Sequence, residues 1–235
     1  MAYNNITYAT TELAQSYVNR NWVLGKNTSF VKKHVLARGA HSILAPCSFI
    51  TNSVDTIIGL GVGIGVLFTA GTHKPTFKFA MNHLDGSRKI FAQPFFNLLK
   101  TINPEAKFTG NDQILNWHTS PLIGAYGNGF TAHFVIEDLK IVARSCYNSK
   151  NFLKRHVASR LTYALLAISC LVTRAVDGVI CIPAASLSLL MVGKCESLNN
   201  LAYRTLKAPG IIHDLFFCTI RFINPWEGTQ KVHVT

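Results

Sequence analysis

Formal charge is scarce in this sequence of 235 residues, and negative charge is the scarcest. Only 14% of the residues are charged, whereas typical globular chains carry about 25%. The chain has 11 acidic and 23 basic residues, a net charge of +12 and a mean hydropathy of +0.23. Such a basic, apolar composition favours an anionic membrane surface as the partner at least as strongly as nucleic acid.

Motifs for common chemistries are also missing. The six cysteines contain no Cys-x-x-Cys pair, which indicates reduced, buried thiols instead of a disulfide framework or a zinc site. The nine histidines include no His-Glu-x-x-His, so no metal or other cofactor is predicted. There is no nucleophile elbow, and no helix-turn-helix, RNP or zinc-finger pattern. The sequence therefore predicts neither an enzyme nor a nucleic-acid-binding protein.

What the chain does contain is an internal duplication. Residues 30–72 align with residues 152–194 without a gap, and thirteen of the forty-three pairs are identical. A second shared block, from Phe-Phe to Ile-Asn-Pro, occupies residues 95–104 and 216–225. A duplication sets the unit of architecture. The polar positions shared by both copies are His34, Arg38, Asp55, His156, Arg160 and Asp177.

The duplication divides the chain into five parts. We expect a polar N-terminal segment (1–29), a first repeat (30–104), an insert (105–151), a second repeat (152–225) and a tail (226–235). In the insert, residues 126–129 form a turn signal and residues 131–136 are compatible with a strand, so this part is expected to contain some β structure. The predicted fold class is mainly α.

Each repeat opens with an apolar block that carries one aspartate near its middle. Each arm of the block is about 20–25 Å long as a helix, which is short of the ~30 Å hydrocarbon core. Basic residues stand at both ends of each block and favour the same side of a membrane. We therefore expect a helical hairpin, which either dips into a bilayer or lies buried in a soluble bundle. An amphipathic helix ending before Asn-Pro completes each repeat.

The aspartates and the glycine-rich run each have two interpretations. Asp55 and Asp177 are expected in the first turn of the second arm, facing the helix dipole, with residues 51–53 as the cap of that arm. The alternative is a buried polar switch or proton site. Arg174 is expected to pair with Asp177 on the same helix. Glycines alternate over residues 59–65, which favours close helix packing over phosphate binding.

The order of these motifs resembles repeats in membrane-associated proteins of chlamydiae. The shared order is a basic residue before His, then Arg, Thr-x-x-Val-Asp, a terminal Gly and Ile-Asn-Pro, and it covers both copies but not the insert. The resemblance implies a secreted protein inserted in a host-derived vacuolar (inclusion) membrane. The chain departs from that family in the acid at the centre of each block and in the wide separation of its two blocks.

We therefore expect a non-enzymatic, mostly helical membrane-associated protein, an anchor or scaffold that contacts anionic lipid and a protein partner. The expected contacts to lipid head groups are Lys32, Lys33, Lys154 and Arg155. The alternative is a soluble, cytoplasmic, internally duplicated all-α module that binds an apolar ligand.

Overall fold

Every regular element is a helix in the parts of the chain that the computed structural model describes, residues 5–25, 28–108 and 130–225. The mainly α fold class is therefore confirmed. The turn predicted at residues 126–129 and the tail at 226–235 lie outside the described residues.

The first half of the chain consists of a short helix, a long helix and a broken helix. Helix α1 is built from the consecutive segments Tyr8–Glu12, Leu13–Val18 and Asn19–Val23, and α2 from Lys32–Leu36 and Ala37–Phe68. The broken helix follows as α3 (Lys74–Leu84), α4 (Gly86–Lys89) and α5 (Ala92–Ile102).

The second half repeats this order. Its elements are α6 (Phe130–Asn148), α7 (Lys154–Ala158 with Ser159–Leu190), α8 (Glu196–Thr205), a 3₁₀ turn (Ala208–Gly210) and α9 (Ile211–Ile223). The structural repeat is thus larger than the sequence duplication, because α1 and α6 occupy equivalent places. The strand expected at residues 131–136 is wrong, since these residues lie in α6. Their apolar run is compatible with either structure, and a contact with the distant Asp177 supports the start of a helix here.

The predicted helical hairpins are also wrong, because α2 and α7 are continuous. Asp55 and Asp177 lie in the middle of these helices, and residues 51–53 continue α2 without a break. Both carboxylates are fully buried and bind the N-terminus of another helix. Their charge is satisfied from outside α2 and α7, so neither helix has to end or turn there.

The two halves hold each other through reciprocal contacts at the Ile-Asn-Pro motifs. The side chain of Asn103, after α5, donates to the carbonyl oxygen of Val192 (3.0 Å). Asn224, after α9, donates in the same way to Ala70 (3.1 Å). The turn that follows each long helix is therefore fastened by the last helix of the opposite half, which explains why this motif and the terminal glycine occur in both copies.

The long helices α2 and α7 run antiparallel. Helix α5 lies along the first half of α2, where Asn97 hydrogen-bonds to His41 (2.8 Å) and Glu105, just beyond α5, pairs with Lys33. The end of α5 also contacts the turn after α7 through Asn103. The start of α2 therefore lies beside the end of α7.

The opposite end of the molecule has the matching arrangement. Arg160, near the start of α7, donates a long hydrogen bond (3.5 Å) to the carbonyl oxygen of Ile223. One residue later, Asn224 reaches Ala70 after the end of α2. The two halves are consequently related as in an antiparallel dimer.

The turn after α7 contains a strained residue that provides the first prediction. Val192 has a φ of +54°, and a β-branched residue is rarely found in this left-handed region. Because a left-handed conformation costs an L-residue about 1–2 kcal/mol, we expect Val192→Gly to raise the free energy of unfolding by about 1 kcal/mol, measured by chemical denaturation. Ala70→Gly, at the matched position with a φ of +49°, should give a smaller gain. A loss of stability in both variants would contradict the strain.

Candidate functional site

The long helices turn most of their polar side chains toward the interior, beside some apolar ones, and present almost only apolar side chains outside. On α2 the buried stripe includes four fully buried polar side chains: His41, Ser48, Asn52 and Asp55. The exposed stripe has isoleucine at every seventh position, and these four side chains are 59–68% exposed: Ile43, Ile50, Ile57 and Ile64. This pattern is the reverse of that expected for a surface helix of a soluble domain.

Helix α7 shows the same inversion. Its buried face includes Thr173, Arg174 and Asp177, whereas its outer face carries large apolar side chains: Leu165, Ile168, Val172, Val179, Ile182 and Leu190. Neither residues 39–68 nor residues 161–192 contain an exposed charged side chain. Both helices are long and apolar enough to cross a membrane by length and composition, and the apolar windows are only 33% and 28% buried.

Asp55 caps helix α1 from the middle of α2. Its carboxylate accepts hydrogen bonds from the backbone N–H of Ile6 (3.0 Å) and from the N–H (2.8 Å) and hydroxyl (2.6 Å) of Thr7. The Nε2 atom of His83, from α3, lies 3.7 Å from the same carboxylate. A carboxylate at a helix N-terminus satisfies donors that the helix itself leaves unpaired. The helix that Asp55 stabilises is therefore α1, and not its own helix as predicted.

Asp177 performs the equivalent task for α6. Its carboxylate accepts hydrogen bonds from the N–H and the hydroxyl of Thr131, both at 2.9 Å. The threonine hydroxyl also lies 2.8 Å from the carbonyl oxygen of Thr173, to which it can donate. Asp177 therefore does not serve as the local partner of Arg174. The two aspartates are structurally equivalent and lie in separate halves.

The shared histidines and arginines lie at the helix starts. The rings of His34 and His156 each pack on a phenylalanine one turn earlier, Phe30 or Phe152, with centroids 4.6 Å apart in both halves. Arg38 and Arg160 follow these histidines by four residues, one helical turn further on, and both arginines are exposed. The six shared polar residues thus lie at the starts and in the middle of the two long helices and form no single site.

The four predicted head-group residues also lie at the helix starts. Lys32 and Lys154 are exposed. Lys33 pairs with Glu105, and Arg155 donates to the hydroxyl of Tyr147 (3.1 Å). These side chains are positioned at the ends of the apolar faces, where the charge-free surface stops.

An ionic cluster between the two halves was not predicted from the sequence. Asp214, on α9, accepts two hydrogen bonds from Arg174 on α7, at 2.9 and 2.6 Å, and one from Arg88 on α4. Arg174 and Asp214 are only 2% and 5% exposed. Arg88 also lies 3.6 Å from Asp85, at the junction of α3 and α4. The cluster therefore connects a carboxylate of the second half to a guanidinium of the first.

A second ion pair extends this cluster to the N-terminal helix. The ammonium of Lys89 lies 2.8 Å from both Glu12 on α1 and Asp85. Arg174 also donates to the carbonyl oxygen of Lys207 (3.2 Å), just before the 3₁₀ turn. Each half thus contributes its own ion pairs, and the contact between Arg88 and Asp214 joins them across the two halves.

The ionisation of the cluster follows from burial and from its charged neighbours. Burial alone would raise the pKa of Asp214, but Arg88, the hydrogen bond with His213 and Arg174 together hold this pKa well below its usual range. Burial lowers the pKa of Lys207 to about 7, and Asp85 opposes this shift only in part. The arrangement thus keeps Asp214 ionised.

The matched position in the first half carries a neutral pair. Asn52 occupies the place of Arg174, and its amide donates to the side-chain oxygen of Gln93 (2.8 Å), which occupies the place of Asp214. The same helix–helix contact is therefore made once by neutral groups and once by charged ones. A comparison of the two copies in the sequence shows this exchange, but only the contact of α7 with α9 reveals that the two charged residues are partners.

The remaining motifs have structural roles. A Cβ atom at Gly59 would lie 2.6 Å from the backbone of Leu84, and one at Gly63 would lie 3.0 Å from Phe216, so these two glycines permit close packing as predicted. Gly61 and Gly65 have no neighbour within 4 Å of such an atom, so the packing prediction is wrong for them. All six cysteines are free, and Cys170 and Cys218 are buried. Among the described residues, no group of three or more His, Cys, Asp or Glu side chains is placed to hold a metal ion.

These features define an internally duplicated, mainly helical protein whose two long helices have apolar outer faces. Comparison of the chain with protein-family models, curated proteins and solved structures found no match.

Proposed function

We propose that this chain is a membrane-embedded anchor or scaffold, in which α2 and α7 present their outer faces to lipid. The observation that carries the proposal is the inverted polarity of these two helices. Their exposed faces are free of charge over residues 39–68 and 161–192, whereas Asp55, Arg174 and Asp177 are turned inward. A long, continuous apolar face marks an interaction or membrane surface, and charged side chains inside a membrane protein are paired.

The size of the apolar surface supports the same proposal. Monomeric soluble proteins rarely expose apolar patches larger than a few hundred Å². Here the outer faces of two long helices are apolar along their length, with Phe68 and Leu190 at their ends 89% and 78% exposed. A soluble module with an apolar ligand would have its apolar surface around a cavity inside the protein, whereas these side chains point outward.

A lysine on the outer face distinguishes the two environments. We expect Ile57→Lys and Val179→Lys, at positions 68% and 73% exposed, to abolish recovery in the membrane pellet after a carbonate wash. A lysine at the centre of a membrane helix costs about 2.5–3.5 kcal/mol on insertion scales. In a soluble protein the same substitutions would change stability by less than about 0.5 kcal/mol.

The matched control lies on the same helix. Phe68→Lys places a lysine at the end of α2, where its long side chain extends to the head groups, so this variant should remain in the pellet. Recovery of the wild-type chain and of both central variants in the supernatant, as sharp monomers, would overturn the proposal and support the soluble alternative.

The basic residues at the helix starts are proposed to contact anionic head groups. Each basic residue near a membrane surface contributes about 1 kcal/mol of attraction to anionic lipid. Replacing Lys32, Lys33, Lys154 and Arg155 with glutamine should therefore weaken sedimentation with phosphatidylserine vesicles and leave binding to neutral vesicles unchanged. Equal binding of the wild-type and glutamine variants to anionic vesicles would contradict this role.

The proposed location of the chain in the cell rests on the resemblance of its repeats to those of other proteins. The likeness to chlamydial repeat proteins favours a secreted protein in a host-derived vacuolar membrane. Segments outside the long helices would then be available to a protein partner. Fractionation of infected or expressing cells, with detection of the chain in the vacuolar membrane, tests this location.

A further inference from the structure

We infer that the two halves of this chain lie in the membrane in opposite orientations, so that each leaflet contacts one of two basic collars. This inference rests on the proposed function. It replaces the expectation from the sequence that both ends of each apolar block lie on the same side.

The long helices α2 and α7 are continuous. With a rise of about 1.5 Å per residue, the stretch from Gly39 to Phe68, which has no exposed charge, is about 45 Å long and exceeds the ~30 Å hydrocarbon core. A helix of this length crosses the core with a tilt. Since α2 does not turn back at Asp55, its start and its end lie on opposite sides.

The two long helices α2 and α7 run antiparallel. Asn103 connects the start of α2 to the end of α7, and Asn224 connects the end of α2 to the start of α7. Two antiparallel helices that both cross a bilayer enter it from opposite sides. The second half is therefore inverted with respect to the first.

Basic residues form two groups, here called collars, at the two ends of the pair of long helices. The first collar surrounds the start of α2 and the end of α7 and consists of Lys32, Lys33, Arg38 and Lys194. The second collar surrounds the start of α7 and the end of α2 and consists of Lys154, Arg155, Arg160, Lys74 and Lys78. Basic residues at both ends suit head groups of both leaflets, and the similar numbers mean that the positive-inside rule does not oppose the inverted arrangement.

The inversion places the buried aspartates midway between the two collars. Asp177 lies seventeen residues from both Arg160 and Lys194, and Asp55 lies seventeen residues from Arg38. The buried carboxylates are therefore midway between the collars, near the centre of the bilayer. Arg174 lies three residues before Asp177 on α7, and its partner Asp214 contacts Arg88 of the first half. In other inverted-repeat membrane proteins, ions and substrates bind at such a place.

Mass-tagged maleimide that does not cross membranes tests the topology in the full chain. Two double variants are compared in sealed vesicles: Ser29→Cys with Asn151→Cys, and Ser29→Cys with Lys194→Cys. The three positions changed to cysteine, 29, 151 and 194, are all exposed. The wild-type chain, whose native cysteines are buried or half-buried, gives the background, and a cysteine-free chain replaces it if the wild type is labelled.

The expected result does not depend on which way the protein inserts. Positions 29 and 151 lie on opposite sides, so each molecule of the first variant should gain one tag, and two after the vesicles are permeabilised. Positions 29 and 194 lie on the same side, so each molecule of the second variant should gain either no tag or two.

Two different failures remain distinguishable. If both variants stay in the carbonate-washed pellet and the first gains no tag or two tags per molecule, the protein is in the membrane but its halves are not inverted, and the inference is overturned. If the wild-type chain is released by the carbonate wash, the proposed function fails first. For a variant that fails to insert, trypsin digestion of the wild-type chain in sealed vesicles gives the same decision, since cleavage at both collars in one molecule contradicts the inversion.

Discussion

Replacement of Asp214 by asparagine is expected to lower the free energy of unfolding by about 3–5 kcal/mol, the range for breaking a buried ion pair. The carboxylate serves Arg174 and Arg88 together. Its loss leaves two guanidinium groups without their shared counter-charge in a buried place. Chemical denaturation in detergent, with helical circular dichroism as the signal, measures the effect.

The first half of the chain provides the control for this experiment. The double variant Arg174→Asn with Asp214→Gln copies the neutral pair of Asn52 and Gln93 into the second half. Because replacing a whole buried ion pair is often nearly neutral whereas removing one partner is not, the double variant should be more stable than Asp214→Asn. A double variant at least as unstable as the single one would show that the charges themselves are required for folding.

Replacement of Asp55 by alanine is the second large effect, with an expected loss of about 3–4 kcal/mol. The carboxylate is fully buried and receives two backbone N–H groups and the hydroxyl of Thr7. Each buried donor left without an acceptor costs about 1–3 kcal/mol. Helix α1 should detach from α2 first, which hydrogen exchange of the α1 amides would detect before global unfolding.

Asparagine at the same position separates the capping role from packing. Its amide oxygen can still accept one hydrogen bond, so Asp55→Asn should lose about half as much stability as Asp55→Ala. A carboxylate that merely faced the dipole of its own helix would contribute about 0.3–1 kcal/mol. Losses within that range for both variants would therefore contradict the capping of α1.

Much of the helical content and of the duplication could be predicted from residue spacing. Apolar residues at helical spacing in residues 88–102 indicate a packed helix, and α5 is found at Ala92–Ile102. The repeated Asn-Pro exit marks the end of α5 and of α9. These signals are local, because helix periodicity and proline restrictions act within a few residues.

The predicted hairpins are wrong because each mid-block aspartate has its partner far away in the sequence. An aspartate in an apolar run costs free energy unless a partner satisfies it, and a break in the helix was the nearest local solution. The structure instead places Thr7 against Asp55, 48 residues away, and Thr131 against Asp177, 46 residues away. Nothing in the spacing along one helix indicates such a partner.

By itself the sequence determined that the chain is mainly helical, that a unit is used twice, and that two stretches are poor in charge. These properties depend on composition and on short-range periodicity. The direction of α7 against α2, the reciprocal contacts of Asn103 and Asn224, and the pairing of Arg174 with Asp214 became visible only in the assembled fold. They depend on hydrogen bonds and ion pairs between segments far apart in the chain, which form only after the helices have packed.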